Sequence, residues 1–420
     1  MNKKIFPFMM WSLPLMFFTY QFILRLWPSL LMQQIMAQFQ IDATGFGLLA
    51  SFYYYGYAGM QIPIAILLDR YNPRYIVFAC AVICGLSTLI FALTTQWYLA
   101  LMSRFLIGVG SAAGFLATSK VISMWFPLKD YGRMVGFSFT VGLLGAIYGG
   151  KPTNILIETF GRQSVEITIG LISIGIGFIN LLFMKSKNSL QNLDSRNDIN
   201  SKSFLKLIKM PSIWILSLSN LLMVGALEGF ADVWGVNYLI TAFDITKSDA
   251  AGFISYIFIG MLAGGPILSA LTKHLGNHLV ILLCSIGIVL IFLFLIFGIH
   301  FLNNYVLILL LTILGILCCY QVIVFATGSE LVPAAMLGLT TSLLNCINMF
   351  GGSFFHSTIG RALDWFWSGR MYDGNKCYTI EAYQNALLII PIAGFIGGLL
   401  IFYLKATHKK SNYPHLNNDL

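Results

Sequence analysis

"KSKNSLQNLDSRNDINSKSFLKLIKMP", Lys185 to Pro211, is the one long polar and basic segment in a chain of 420 residues that is otherwise 58% hydrophobic and only 10% charged. Its low hydrophobicity suits a flexible linker with a short amphipathic end. On either side of it the sequence consists of apolar runs of about 20 residues or more, each long enough as a helix to cross a hydrocarbon core of roughly 30 Å. Before the linker they fall at Phe8 to Ile35, Gly45 to Leu68, Tyr75 to Thr94, Tyr98 to Met124, Tyr131 to Ile157 and Val165 to Met184. After it they fall at Ile213 to Leu239, Ala250 to Thr272, Leu279 to His300, Tyr305 to Ser329, Met336 to Ile359 and Tyr383 to Leu404. Six runs on each side of a central linker predict an all-α membrane protein of twelve transmembrane helices, arranged as two six-helix bundles around a midplane site. The expected divisions are a first bundle over 1–184, a linker over 185–210, a second bundle over 211–405 and a tail over 406–420.

The composition excludes other classes. A soluble domain carries roughly a quarter charged residues, and a membrane barrel would show outward alternation instead of continuous apolar runs. The net charge of +9 is no footprint for nucleic acid, because it is distributed by loop. Sixteen of the 25 Lys and Arg fall on one set of loops and tails and five on the other, which makes the basic side, with both termini, cytoplasmic. The basic start "MNKK" leads into a run that lacks a small-residue cleavage site and exceeds signal length, so it reads as the first span, retained. Six of the seven cysteines lie in apolar helices and only Cys377 in an outer loop, so no disulfide framework can be drawn. The outer segment Gly360 to Ala382 reads as an interfacial loop, with Trp365, Trp367 and Tyr372 in the aromatic belt, or alternatively as a substrate lid.

After the second run comes "AILLDRYNPRY", where Asp69, Arg70 and Arg74 share a tight turn. An acid flanked by bases at a helix end can cap backbone N–H groups or pair with a neighbouring helix, and can release that pairing when bundles rock, so these three are gate candidates. Asn72 tolerates a left-handed turn. The fourth run carries "RFLIGVGSAAG", an intramembrane Arg104 followed by Gly108, Gly110 and Gly114, small residues at a spacing that lets helices pack closely. Both segments resemble signatures of the major facilitator superfamily, with Ala65 and Asn72 standing where two glycines of its first signature are usual. The second half keeps a decayed counterpart, "SALTKHLGNH", in which Lys273 stands in the acid's place. Within the superfamily, "FYYYGYAGMQIP" and "LRLWPS" resemble the phagosomal transporter group of intracellular bacteria, which takes up amino acids and related nutrients. The resemblance implies the major facilitator fold and a multi-pass protein of a bacterial inner membrane. It also implies a cavity lined by the first, fourth, seventh and tenth helices.

Those four runs carry the intramembrane polar residues Gln21 and Arg25, then Arg104, then Asn220, Glu228 and Asp232, then Tyr320 and Gln321. A guanidinium at Arg25's depth costs at least a few kcal/mol unless something interacts with it. Three readings are open: it binds a substrate carboxylate or phosphate, it pairs with Glu228 across the bundles as an outer gate, or it snorkels to backbone carbonyls beside Trp27. Glu228 and Asp232 lie four apart on one helical face, where two carboxylates repel and a proton can reside. They are candidates for proton coupling or gating, and Glu228 also for substrate. Tyr54 and Tyr57 on the second run and Asn345 on the eleventh are further substrate candidates beside ordinary packing.

No G-x-x-x-x-G-K-[ST] loop, H-E-x-x-H or paired C-x-x-C is present, so neither an ATP-driven pump nor a metalloenzyme is drawn, and no cofactor or metal is expected. The sequence reads as a secondary active transporter, not an enzyme, moving a small polar metabolite by alternating access. An amino acid, short peptide or similar zwitterion is the first expectation, with protons as possible co-substrate, lipid around it, no nucleic acid, and a monomer as the working unit. An organic-anion or phosphate-ester exchanger built on Arg25 with Arg104 or Lys151 is the alternative. A membrane sensor that transports nothing is the reading from another class.

Overall fold

The computed structural model describes residues 5–185, 201–333, 336–372 and 375–410. The expected linker and tail therefore lie for the most part outside the described residues. Among these residues twelve long helices form two sets. The first to sixth are Phe6–Leu30, Ala43–Arg70, Pro73–Leu93, Trp97–Trp125, Leu128–Gly149 and Arg162–Phe183. The seventh to twelfth are Pro211–Phe243, Lys247–Leu275, Asn277–Phe297, Asn304–Glu330, Leu337–Trp365 and Ile380–Thr407. Nine of them are long and apolar enough to cross a membrane; the second, fifth and eleventh, of 28, 22 and 29 residues, are of spanning length but richer in Gly, Ser and Tyr. The exposed side chains of the third, sixth, ninth and twelfth helices are large and apolar, Leu86, Ile90, Leu171, Phe178, Leu290, Phe297, Phe395 and Phe402 among them, as a lipid-facing surface requires.

The same packing scheme occurs in each half. The first helix packs on the fifth as the seventh does on the eleventh, the second on the fourth as the eighth on the tenth, and the third on the sixth as the ninth on the twelfth. The correspondence extends to single residues. A side chain at Gly56 or Gly108 would collide with the facing backbone where the second and fourth helices cross, and one at Gly260 or Gly315 would do so where the eighth and tenth cross. The small residues of the fourth helix meet three different neighbours: Gly108 meets the second helix, Gly110 the third and Gly114 the first.

Several helices depart from the regularity that apolar runs predict. The expected fifth span to Ile157 is interrupted: the helix ends at Gly149, Gly150 takes φ −88° and ψ −118°, and a separate helix Lys151–Phe160 starts with Pro152 in its first turn. The first helix stops at Leu30 and a separate helix, Met32–Phe39, follows. The fourth breaks at Ala112 and the tenth at Cys319. The seventh passes from α-helix through a 3-10 turn, Val224–Ala226, into a π-helical stretch, Leu227–Trp234, and back. Asn72 is extended at φ −64°, not left-handed, because its side chain caps the third helix by accepting from the Arg74 N–H.

The halves meet chiefly along the second and eleventh helices and along the fifth and eighth. The first of these contacts runs from the face opposite the chain's basic loops, where Gly360 meets Ala43, to Cys346 and Ala58. At that face the eleventh helix runs past its apolar segment to Trp365 and leads into a hairpin pairing Met371 with Lys376 and Tyr372 with Asn375.

Candidate functional site

At the middle of the molecule the first and seventh helices bring opposite charges together. Arg25 Nη2 donates to Asp232 Oδ1 at 3.1 Å, its Nε stands 2.8 Å from Asp232 Oδ2, and its Nη1 stands 3.2 Å from Glu228 Oε2. Arg25 is 11% exposed, Glu228 2% and Asp232 not at all. Both acids sit in the π-helical stretch, whose i→i+5 bonding widens the helix locally and is typical of functional positions. Arg25 thus faces Asp232 as well as Glu228, the partner expected for a gate, and it points into protein and not toward lipid.

The second helix completes the cluster. The Tyr54 phenol oxygen lies 2.5 Å from Glu228 Oε2 and is also hydrogen-bonded to Asp232 Oδ2. One phenol has one hydrogen, so it donates to one carboxylate at a time, and the other contact is filled when that carboxyl carries a proton of its own. The Tyr54 ring rests on Gly352 of the eleventh helix, where a side chain would strike it, and is 5.1 Å from the ring of His356. His356 is fully buried with neither ring nitrogen hydrogen-bonded. A lone histidine in an apolar run gives only a weak sequence signal, and sequence reasoning misses it.

Arg104 differs from Arg25. It is 2% exposed, donates Nη1 to the Leu24 carbonyl at 2.9 Å and lies 5.0 Å over the Tyr53 ring, but no carboxylate pairs with it among the described residues and its Nε has no partner. The carbonyl it holds belongs to the residue before Arg25, so the fourth helix's arginine is anchored to the first helix one residue from Arg25. Two arginines and two acids leave this centre formally neutral. Tyr57 stacks on Tyr53 at 6.0 Å, and Gln21 is buried against Gly114 with its Oε1 unbonded. In the second half Tyr320 donates to the Asn220 carbonyl at 3.2 Å, Gln321 is half-buried, and the side-chain amides of Asn220 and Asn348 are buried without partners. Asn345 is half-buried.

The gate candidates of the second-to-third turn are not joined to this centre. Asp69 pairs at 2.6 Å with Lys120 of the fourth helix, within the same half. Neither base pairs with Asp69: Arg70 is exposed, and Arg74 is half-buried and turned onto Tyr75, 4.4 Å over its ring. Lys151 reaches across the halves to Asp249 of the eighth helix at 3.2 Å.

Comparison with known proteins gives three kinds of match. The family model described as Major Facilitator Superfamily matches residues 10–356. The chain is 23% identical over 401 residues to the uncharacterized transporter YybO of Bacillus subtilis, spanning 88% of this chain and 87% of that one. It is 25% identical over 276 residues to the probable galactarate/D-glucarate transporter GudP of Escherichia coli, spanning 56% of this chain and 60% of that one. Among solved structures it resembles a bacterial homologue of the human lysosomal transporter Spinster, inward-facing and occupied, with a TM-score of 0.74 at 17% identity over 98% of this chain and 99% of that one.

Proposed function

The chain belongs to the Major Facilitator Superfamily, and as a transporter of that type, not an enzyme, we propose that it carries a small organic anion together with a proton by alternating access. The observation that carries this reading is Arg104, a buried guanidinium with no acid paired to it among the described residues. A carboxylate of the substrate supplies the missing partner in a fork geometry that a guanidinium suits. Charge counting then gives the coupling. The empty centre is neutral, a bound monoanion leaves it at minus one, and a proton on Glu228 or Asp232 restores neutrality. That proton has a place, in the second of the two contacts at the Tyr54 oxygen, and it releases one of the Arg25 nitrogens toward the substrate. The sugar-acid name of one relative agrees with an anionic cargo. Gln21, Tyr57, Tyr320 and Gln321 line the same region as neutral hydrogen-bonding groups. In this reading the face of the basic loops, with both termini, is cytoplasmic, the membrane is an inner membrane and the working unit is a monomer.

An amino acid or similar zwitterion is the second reading, favoured by the two carboxylates beside Arg25, which offer partners to an ammonium group. In this structure both are engaged by Arg25 and Tyr54, so an amine would have to displace them. The test is uptake into proteoliposomes of labelled sugar acids, other small carboxylates and amino acids, with and without a pH gradient. Gradient-driven accumulation of a carboxylate is expected. Accumulation of amino acids alone overturns the anion in favour of the zwitterion, and no flux of any compound overturns both.

A further inference from the structure

At the face opposite the basic loops, the first turn of the second helix is capped by the other half of the molecule. Its three leading N–H groups have no intrahelical partner, as at any helix start. Only Gly45 N–H is satisfied from its own side, by Asp42 Oδ1 at 3.0 Å. Ala43 N–H donates to the Tyr378 hydroxyl at 2.9 Å, and Thr44 N–H donates to Asp364 Oδ2 at 2.7 Å. The same Asp364 oxygen accepts from the Thr44 hydroxyl at 2.5 Å, while its Oδ1 accepts from Tyr378 at 2.6 Å and from Lys376 Nζ at 2.9 Å. Lys376 reaches back to Asp42 Oδ2 at 3.1 Å. Asp364 therefore accepts four hydrogen bonds, and the N–H groups of Ala43 and Thr44, the Thr44 hydroxyl and Asp42 Oδ2 are all paired across the interface between the halves.

Below this corner the second and eleventh helices touch along their length. A side chain at Gly360 would strike the Ala43 carbonyl and one at Gly47 the His356 carbonyl, and Ser51 bonds the Ser353 carbonyl at 3.0 Å and Ser357 Oγ at 2.8 Å. Separation of the halves at this face must break the corner first, since it is the outermost part of that seam.

We infer that Asp364, acting with Lys376 and Tyr378, is the latch of the outer gate, holding the gate shut by capping the second helix from the opposite half. A carboxylate at a helix N-terminus interacts favourably both with free N–H groups and with the positive end of the helix dipole. Opening the gate gives up both, together with the lysine pair. The assignment of this corner to the outer side rests on the orientation proposed above.

The test reads gate opening directly, without a transported substrate. Cys377 is exposed and is first replaced by Ser, and Ser29→Cys, buried at the far end of the first helix where Asn237 bonds its carbonyl, serves as the reporter. The full chain in right-side-out vesicles is exposed to a membrane-impermeant maleimide. Asp364→Asn is expected to raise the labelling rate about tenfold or more, a range usual for coupling between two states, and Thr44→Ala to raise it less. If Asp364→Asn does not yield a monodisperse protein, Thr44→Ala and Lys376→Met decide. Unchanged labelling in the folded variants overturns the latch, as does a reporter that never reacts. Faster labelling in a protein that moves no solute would keep the latch and remove the transport reading; unchanged labelling with intact flux would do the reverse.

Discussion

Arg25 and Asp232 face each other from opposite halves of the chain, guanidinium to carboxylate at two points, 3.1 Å and 2.8 Å apart. Two charges so far from water are stable only while together, and removal of one partner leaves the other buried and uncompensated. The pair therefore holds the first and seventh helices, one from each half, together at their centre.

Arg25→Ala is expected to abolish uptake and to destabilise the protein by about 3–5 kcal/mol, the usual consequence of stranding a buried charge. Arg25→Met combined with Asp232→Leu is expected to recover much of the stability and none of the uptake. Thermal unfolding in detergent beside vesicle uptake checks both. Recovery of uptake in the double variant would remove the pair from the mechanism.

Glu228→Gln, Asp232→Asn and Tyr54→Phe each alter the site proposed above for a co-transported proton. The expected outcome is loss of uphill accumulation driven by a pH gradient, while exchange of labelled for unlabelled substrate persists at within about tenfold of wild type, since substrate binding is retained. Gradient-driven accumulation that survives in both acid variants would place the proton elsewhere.

Arg104→Gln is expected to weaken binding of the anion by about 1.5–3 kcal/mol, roughly 10- to 150-fold, as loss of a charge-assisted hydrogen bond does. Because no acid loses a partner, stability of the empty protein is expected to be unchanged or higher. Ligand-induced thermal shifts across a substrate titration check this. A variant that unfolds as readily as Arg25→Ala would make Arg104 a structural residue.

The outer corner is expected to hold across the neutral range of pH. Burial acts to raise the Asp364 carboxyl, but hydrogen bonds from Thr44, Tyr378 and Lys376 outweigh it and hold it below the ordinary carboxylate range. Burial likewise acts to lower Lys376, and its bonds to Asp364 and Asp42 outweigh that and hold it above the ordinary ammonium value. The stabilisation from Asp364 is complete above its ordinary value and is lost as pH falls through the depressed one. That from Lys376 is complete below its ordinary value and is lost as pH rises through the raised one. Maleimide labelling of the Ser29→Cys reporter is thus expected to show no step from the corner between about pH 5 and 9, once the reagent's own pH dependence is subtracted. A step near pH 6 or 7 would contradict the geometry.

The twelve helices are legible in the sequence because lipid leaves a backbone no alternative to continuous internal hydrogen bonding, so each span must announce itself as an apolar run. Arg25, Arg104, Glu228 and Asp232 are legible for the complementary reason, that a charge within such a run demands compensation. What the runs do not carry is the choice among partners. Asp69 finds Lys120, 51 residues away, in place of the bases beside it, and Thr44 finds Asp364 at a separation of 320. Such pairings follow from how helices are placed, which no local pattern encodes. The break at Gly150 is half visible, since Gly-Gly before Lys-Pro interrupts a helix, yet the surrounding apolar residues mask it. Sequence also leaves the cargo open between zwitterion and anion, because that distinction depends on which guanidinium lacks an acid.

The π-helical stretch Leu227–Trp234 holds surplus residues relative to an α-helix of equal span. Tightening it by a single residue ahead of Asp232 would swing that carboxylate and everything beyond it by about 100°, one residue's angular step. Asp232 would leave Arg25 by a twist within one helix, before either bundle had rocked. The seventh helix would in this way act as a ratchet tooth, handing the arginine to Glu228 alone as a local event and leaving the large movement of the halves to follow.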